Sequence, residues 1–245
     1  MKLTFLGTSH GLIEPERHCS SILLEVGDCA FLIDGGAPVG DILVRRGFPF
    51  ERVKALFNTH FHDDHIFGCL HFLSLINWYY KSASVDVFIP EAAGVNAVIG
   101  LLRAAEPFSE LDRVRVREYG DGFSYDENGL SLRAIRTRHL SWAGRPSYSF
   151  VAEAEGRKLF FSGDLSDDLS DLSDIVYRER FDLIVIESAH QPIETLLSAL
   201  RGMNADRVTV NHICPQEEKL PRIASAAKDY PFELRSANDG DEIVF

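Results

Sequence analysis

The sequence predicts an α/β fold in which two β-sheets pack face to face and carry helices on their outer sides. Three observations predict it. Apolar runs of strand length recur in both halves of the chain, and runs of helical spacing flank them. A block of short strands punctuated by turn residues fills the middle. Chemically active residue types stand just past several of these strands, as they do when strand ends meet along one rim. With 245 residues, 45% of them hydrophobic and 25% charged, the chain can bury a large core, and one domain over residues 1–245 is expected.

In chain order, the run from residue 1 to Gly7 is too short in its apolar part for a signal peptide and reads as a first strand. Residues 20–25 and Cys29–Ile33 form a hairpin across Val26-Gly27-Asp28, and the second strand ends in Asp34-Gly35-Gly36. Residues 41–46 are a short helix and Val53–Phe57 a buried strand. The helix at 66–80 contains His71, Ser74 and Asn77 and falls short of a membrane span. Val85–Ile89 is a strand stopped by Pro90, and Ala92–Ala105 a helix broken by Pro107 and Phe108. Short strands follow at Val114–Glu118, 123–125, 130–137, 148–153 and 158–161, with turns at Gly120, Gly122, Asn128-Gly129 and Glu155-Gly156. Residues 165–174 read as a loop with a helical turn. The end alternates: strand 183–187, helix Ile193–Leu200, strand 207–210, helix 217–228 and strand 242–245.

A formal net charge of −12 repels phosphate backbones and disfavours nucleic acid as a substrate, which leaves a small molecule. The cysteines at 19, 29, 69 and 214 form no Cys-x-x-Cys pair and no disulfide-scaffold density, consistent with a reducing cytoplasm. No membrane association is expected. Trp78, Tyr79 and Tyr80 read as core or subunit contacts, so a homo-oligomer stays open.

The stretch Asn58-Thr59-His60-Phe61-His62-Asp63-Asp64-His65 concentrates three imidazoles and two carboxylates straight after a strand. Strand alternation points His60 and His62 the same way, while Asp64 and His65 open the next turn. An all nitrogen and oxygen donor set suits a catalytic zinc, manganese or iron site better than a closed structural one. His139, Asp164 (in Ser162-Gly163-Asp164) and His212 (in Asn211-His212) each follow a strand and raise the donor count to what two ions need. The expected assignment is His60, His62 and His139 on one ion, Asp64, His65 and His212 on the other, and Asp164 between them.

The order His-x-His-x-Asp-His, then a lone His, Ser-Gly-Asp and a lone His resembles the metallo-β-lactamase superfamily, and Leu6-Gly7-Thr8 with Leu32-Ile33-Asp34-Gly35 is similar to its opening hairpin. The resemblance covers nearly the whole chain and implies an αββα sandwich with a dinuclear site, zinc or alternatively manganese, and Asp34 beside the metal loop. Asp at 164 is similar to the general hydrolases of the superfamily rather than to its antibiotic-degrading branch. Residues 185–192, 210–214 and 238–243 are similar to the ribonuclease Z and cyclic phosphodiesterase branch. Two departures stand out. The interval 139–164 leaves no room for the tRNA-binding arm of ribonuclease Z, and residues 7–19 contain one cysteine rather than a Cys-rich zinc site.

The expected activity is a phosphodiesterase on a small or cyclic phosphodiester, with a water between the ions as nucleophile and His190, beside Glu187, as general acid. Asp64 would orient that water or accept its proton. Arg138 and Arg145, flanking His139, are candidate binders of a substrate phosphate or carboxylate. Cys214 reads as a packed small hydrophobe. A thioesterase or lactonase on the same site is the alternative, and a non-catalytic binding or sensor protein a further one.

Overall fold

A computed structural model describes residues 1–12, 14–105 and 111–245. The expected break at Pro107 and Phe108 lies outside the described residues. The chain runs β1 (Lys2–Gly7), β2 (Ser21–Val26), β3 (Cys29–Ile33), α1 (Val39–Arg45), β4 (Val53–Phe57), α2 (Asp63–Trp78), β5 (Val85–Ile89), α3 (Ala92–Ala105) and β6 (Val114–Glu118). It continues through β7 (Ser124–Glu127), β8 (Leu130–Arg136), β9 (Tyr148–Ala154), β10 (Arg157–Phe161), α4 (Ile175–Arg178), β11 (Leu183–Ser188), α5 (Ile193–Leu200), β12 (Arg207–Ile213), α6 (Gln216–Ala226), β13 (Glu233–Ser236) and β14 (Glu242–Val244).

Two seven-stranded mixed sheets form, ordered β14-β1-β2-β3-β4-β5-β6 and β13-β12-β11-β10-β9-β8-β7. In each, an antiparallel portion adjoins a parallel one: β3 to β6 in the first sheet and β10 to β13 in the second. The central parallel strand β11, Leu-Ile-Val-Ile-Glu-Ser, is buried along its whole length and begins as an unbroken hydrophobic run, whereas the parallel edge strands β6 and β13 are largely polar. Side-chain alternation sorts those runs into layers. Phe31, Ile33, Leu159, Phe161, Leu183 and Val185 pack between the sheets. Their neighbours Ala30 and Leu32 turn outward to Phe72 and Leu73 of α2. Phe160, Ile184 and Ile186 turn the other way, to Leu196 and Leu200 of α5. The result is the expected αββα sandwich.

The differences from expectation bear on the site. Helix α2 begins at Asp63, so Asp64 and His65 sit in its first turn, where acidic side chains complement the exposed N–H groups of the helix end. Strand β12 runs on to Ile213 and includes His212. Opposite β11, Glu187 faces Asn211 and Ser188 faces Ile213, so His212 is the extra residue of a bulge, with φ of +52°. Strand β13, Glu-Leu-Arg-Ser, escapes a hydrophobic reading because it is an edge strand with one buried leucine, Leu234. No described helix is long and apolar enough to cross a membrane.

Candidate metal centre

The site lies on the rim where β3, β4, β8, β10, β11 and β12 end. Its first support is Asp34, directly after β3, with a buried carboxylate and φ of +61°. That carboxylate accepts the Thr59 backbone N–H (2.7 Å), the Thr59 hydroxyl (3.0 Å) and the Asn58 amide (3.1 Å), which fixes the segment leaving β4. It also pairs with Nδ1 of His65 at 2.8 Å. Nδ1 is thereby occupied and Nε2 turned toward the centre of the site. The helix can come this close because residue 36 is glycine: a Cβ there would stand 2.3 Å from the Asp64 carbonyl oxygen.

The seven predicted side chains converge into two groups. His60, His62, His139 and Asp164 offer donor atoms within 4.8 Å of one another, and so do Asp64, His65 and His212. Asp164 spans both, with Oδ2 3.6 Å from His60 Nε2, 3.7 Å from His139 Nε2 and 3.5 Å from His212 Nε2, and Oδ1 3.4 Å from His65 Nε2. The bend that delivers Asp164 needs glycine before it. Gly163 has φ of +57°, and a Cβ would meet the Tyr148 carbonyl oxygen at 2.6 Å. On the far wall, His212 Nδ1 donates to the Ser9 carbonyl (2.9 Å), which again leaves Nε2 for the centre.

These residues fit divalent metal. His65 Nε2 is buried with no hydrogen-bond partner, aimed between carboxylates at 3.4 and 3.5 Å. Such an atom is costly unless something accepts its lone pair or proton. Burial, helped by neighbouring imidazoles, holds the pKa of His60 well below its ordinary value, and burial lowers His62 and His139 as well. All three therefore favour the neutral ligand form. Burial works against ionising Asp164, but His212, His65 and His60 outweigh it and hold the carboxyl well below the usual range. Burial likewise opposes charge on His65 and His212, yet the surrounding carboxylates, Asp164 foremost, draw both upward. The centre is built to hold positive charge.

His190 stands beside this set. Its Nδ1 is 3.0 Å from Glu187 Oε1 and its Nε2 3.8 Å from Asp164 Oδ2, with a third (33%) of the side chain exposed to the cleft. Burial pulls against protonation, but the Glu187 hydrogen bond and the charges of Asp164 and Glu187 prevail, and the imidazole is pushed up to about 9. The cleft, about 390 Å³, is lined by His62, Asp63, Asp64, Asp164, His190 and His212 together with His10, Gly11, Ala189 and Cys214. His10 escaped sequence reasoning. Its one signal was a histidine three residues past Gly7, at the end of the first strand. Burial pushes the thiol of the partly buried Cys214 up.

Arg138 and Arg145 are not among the residues that line the cleft. The Arg145 guanidinium binds Glu91 and donates to the Phe61 carbonyl at 3.1 Å, bracing the metal loop from outside. Arg138 donates from its backbone N–H to Asp171 (2.6 Å) and from its guanidinium to Ser170. The Arg145 guanidinium is thus engaged by Glu91 and Phe61, whereas Arg138 is an exposed residue whose guanidinium meets the Ser170 hydroxyl.

Residues 1–206 match the family model described as Anti-Pycsar protein Apyc1. The chain belongs to the Apyc1 family. Among curated proteins it is similar to ribonuclease Z of Microcystis aeruginosa, 31% identical over 144 residues that cover 57% of this chain and 44% of that protein. The Apyc1-family chain thus matches less than half the length of that relative. Among solved structures it is similar to the metallo-β-lactamase fold protein YhfI of Bacillus subtilis (TM-score 0.77, 15% identity, 99% of each chain covered). Human tRNase Z, short form, is also similar (TM-score 0.74, 20% identity, 100% of this chain and 99% of that one). The αββα fold is that of these structural neighbours, and the likeness to ribonuclease Z extends over part of the chain.

Proposed function

We propose that the protein is a dinuclear metal-dependent hydrolase acting as a phosphodiesterase on a small or cyclic phosphodiester. The observation that carries this reading is the placement of His190, braced by Glu187, on the cleft side of two donor groups that share Asp164. His60, His62 and His139 would hold one ion, Asp64, His65 and His212 the other, and Asp164 both. Two bound divalent cations, zinc in preference to manganese for this nitrogen-rich set, supply a water of lowered pKa as nucleophile and positive charge for the phosphoryl oxygens. Asp64, beside His65 and His212, would help to orient such a water or accept its proton. His190 gives its Nε2 proton to the leaving alkoxide, and Glu187, which accepts at Nδ1, keeps the ring oriented and protonated for that step. One domain over residues 1–245 suffices, since both sheets contribute donors. The four unpaired cysteines support a cytoplasmic location.

Elemental analysis of protein purified without chelators is expected to give two divalent ions per chain, since the donors fall into two groups. A value near one would undo the dinuclear reading. Metal-loaded protein assayed on bis(p-nitrophenyl) phosphate, a cyclic phosphodiester, a thioester and a lactone is expected to turn over the two phosphodiesters far faster than the others. Preference for the thioester or lactone would replace the reading by that alternative, and tight binding without turnover of any would make it a sensor.

A second reading, cleavage of RNA, is favoured by the ribonuclease Z relative. Against it stand the net charge of −12 and the interval between His139 and Asp164, which a short 3₁₀ turn and the β9–β10 hairpin occupy. A tRNA precursor in the same panel separates the two. The small-substrate reading expects no specific 3′ cleavage at ordinary salt.

A further inference from the structure

A general acid at position 190 works only if the loop that carries it is held still. Residues 189–192 join β11 to α5, and a loop this exposed holds a side chain in place only if its backbone is tied down. Glu187 ties one side. Its carboxylate accepts the backbone N–H groups of Ala189 (2.6 Å) and His190 (3.3 Å) as well as His190 Nδ1. The amide of Gln191 returns to the Glu187 carbonyl oxygen at 2.6 Å.

The other side is tied by a residue far away in sequence. Lys219, in the first turns of α6, is only 4% exposed. Its ammonium donates to the Ser188 carbonyl oxygen at 2.6 Å and the Gln191 carbonyl oxygen at 2.8 Å, with the Ala189 carbonyl oxygen at 3.5 Å. The loop thus sits between two opposite charges: a carboxylate takes its N–H groups and an ammonium takes its carbonyls. Helix α6 follows β12, and the Cys214 N–H donates to the same Ser188 carbonyl (3.2 Å). Lys219 therefore connects the strand that bears His212 to the loop that bears His190.

Stability alone is a poor reason for this arrangement. A buried ammonium with carbonyl partners and no carboxylate within ion-pair distance among the described residues carries a desolvation cost that an apolar side chain of the same length would not. Nor is Lys219 among the residues that line the cleft, and its ammonium donates to the loop backbone. We propose that Lys219 is a positioning residue: by holding the carbonyls of Ser188 and Gln191 it sets the distance of the His190 imidazole from the leaving group. The proposal rests on the general-acid reading above.

The test uses full-length, metal-loaded protein, and two phosphodiesters that differ in whether the leaving group needs a proton. Lys219→Met is expected to keep two metals per chain and to lose roughly 10²-fold on a cyclic phosphodiester with an alkoxide leaving group, the order of loss that a displacement of about 1 Å produces. On bis(p-nitrophenyl) phosphate it should lose only a few-fold. Adding the substitution to His190→Ala should cost nothing further on the alkoxide substrate, because the two act as one unit. Should Lys219→Met not fold, Lys219→Gln, which keeps a donor on a shorter stem, is measured in the same way. Equal losses on both substrates would reduce Lys219 to a structural residue, and unchanged rates on both would remove it from the mechanism. His190→Ala, assayed alongside, separates the two ideas. If it shows the leaving-group dependence and the Lys219 variants do not, positioning fails alone; if it shows none, the general-acid reading fails first.

Discussion

Asp164→Ala is expected to strip the protein of both metals and to abolish turnover, whereas Cys214→Ala, two residues past His212 and on the wall of the same cleft, should leave metal content and rate nearly unchanged. Among the described residues, Asp164 is the side chain whose two oxygens reach members of both donor groups, at 3.4 to 3.7 Å. It is also a fully buried counter-charge to three imidazoles, and its loss leaves them to repel one another. Asp34 gives the intermediate case. Its carboxylate touches His65 through Nδ1 and none of the other six candidate ligands, so Asp34→Asn should weaken metal binding by the roughly 10–100-fold typical of an outer partner. The ordering Asp164, then Asp34, then Cys214 is read by metal titration and elemental analysis after gel filtration. An Asp164→Ala protein that retains both ions and full turnover would show that the carboxylate does not bridge, and an Asp34 variant worse than it would move the bridge elsewhere.

Part of this arrangement is legible in the amino-acid sequence. The strands of the two-sheet core announce themselves because burial on both faces demands unbroken apolar runs such as Leu-Ile-Val-Ile in β11. The candidate donors are legible because imidazole and carboxylate have few other reasons to cluster at strand ends. What the sequence hides is direction. Arg138 and Arg145 flank His139 in the chain, yet one reaches Ser170 and the other Glu91, because neighbours along an irregular segment need not share a face. His212 lies inside β12 rather than past it, since a bulge with a left-handed residue is invisible to hydrophobic patterning. The apolar run starts the expected helix at residue 66, whereas α2 begins at Asp63, because acidic residues, silent in a hydrophobic pattern, are favoured at a helix start. Lys219 is unreadable in principle. Its partners are backbone carbonyls, which every residue possesses, and no residue type at any spacing signals them.

His190→Ala should separate its effects by leaving group. In the structure the imidazole is held at Nδ1 by Glu187, 3.0 Å away, and presents Nε2 toward Asp164 at 3.8 Å, where the reacting phosphorus would bring its departing oxygen. An alkoxide is too basic to leave unprotonated, so the variant should lose roughly 10²–10⁴-fold on a cyclic or alkyl phosphodiester. A nitrophenolate departs without a proton, and on bis(p-nitrophenyl) phosphate the loss should be at most a few-fold. Metal content should stay at two, because His190 belongs to neither donor group. Glu187→Gln tests the same chemistry one atom further out. It keeps the length of the side chain but removes the charge that favours imidazolium and turns one of the two oxygens that accept the N–H groups of Leu165 and Ala189 into a donor, so it should show the same leaving-group dependence together with some loosening of the loop. Equal losses on both substrates would strip His190 of its role as acid. Loss of an ion on His190→Ala would instead make the imidazole a metal ligand or the support of one, and the proton would then have to come from another group on the cleft wall, with His10 the first to examine.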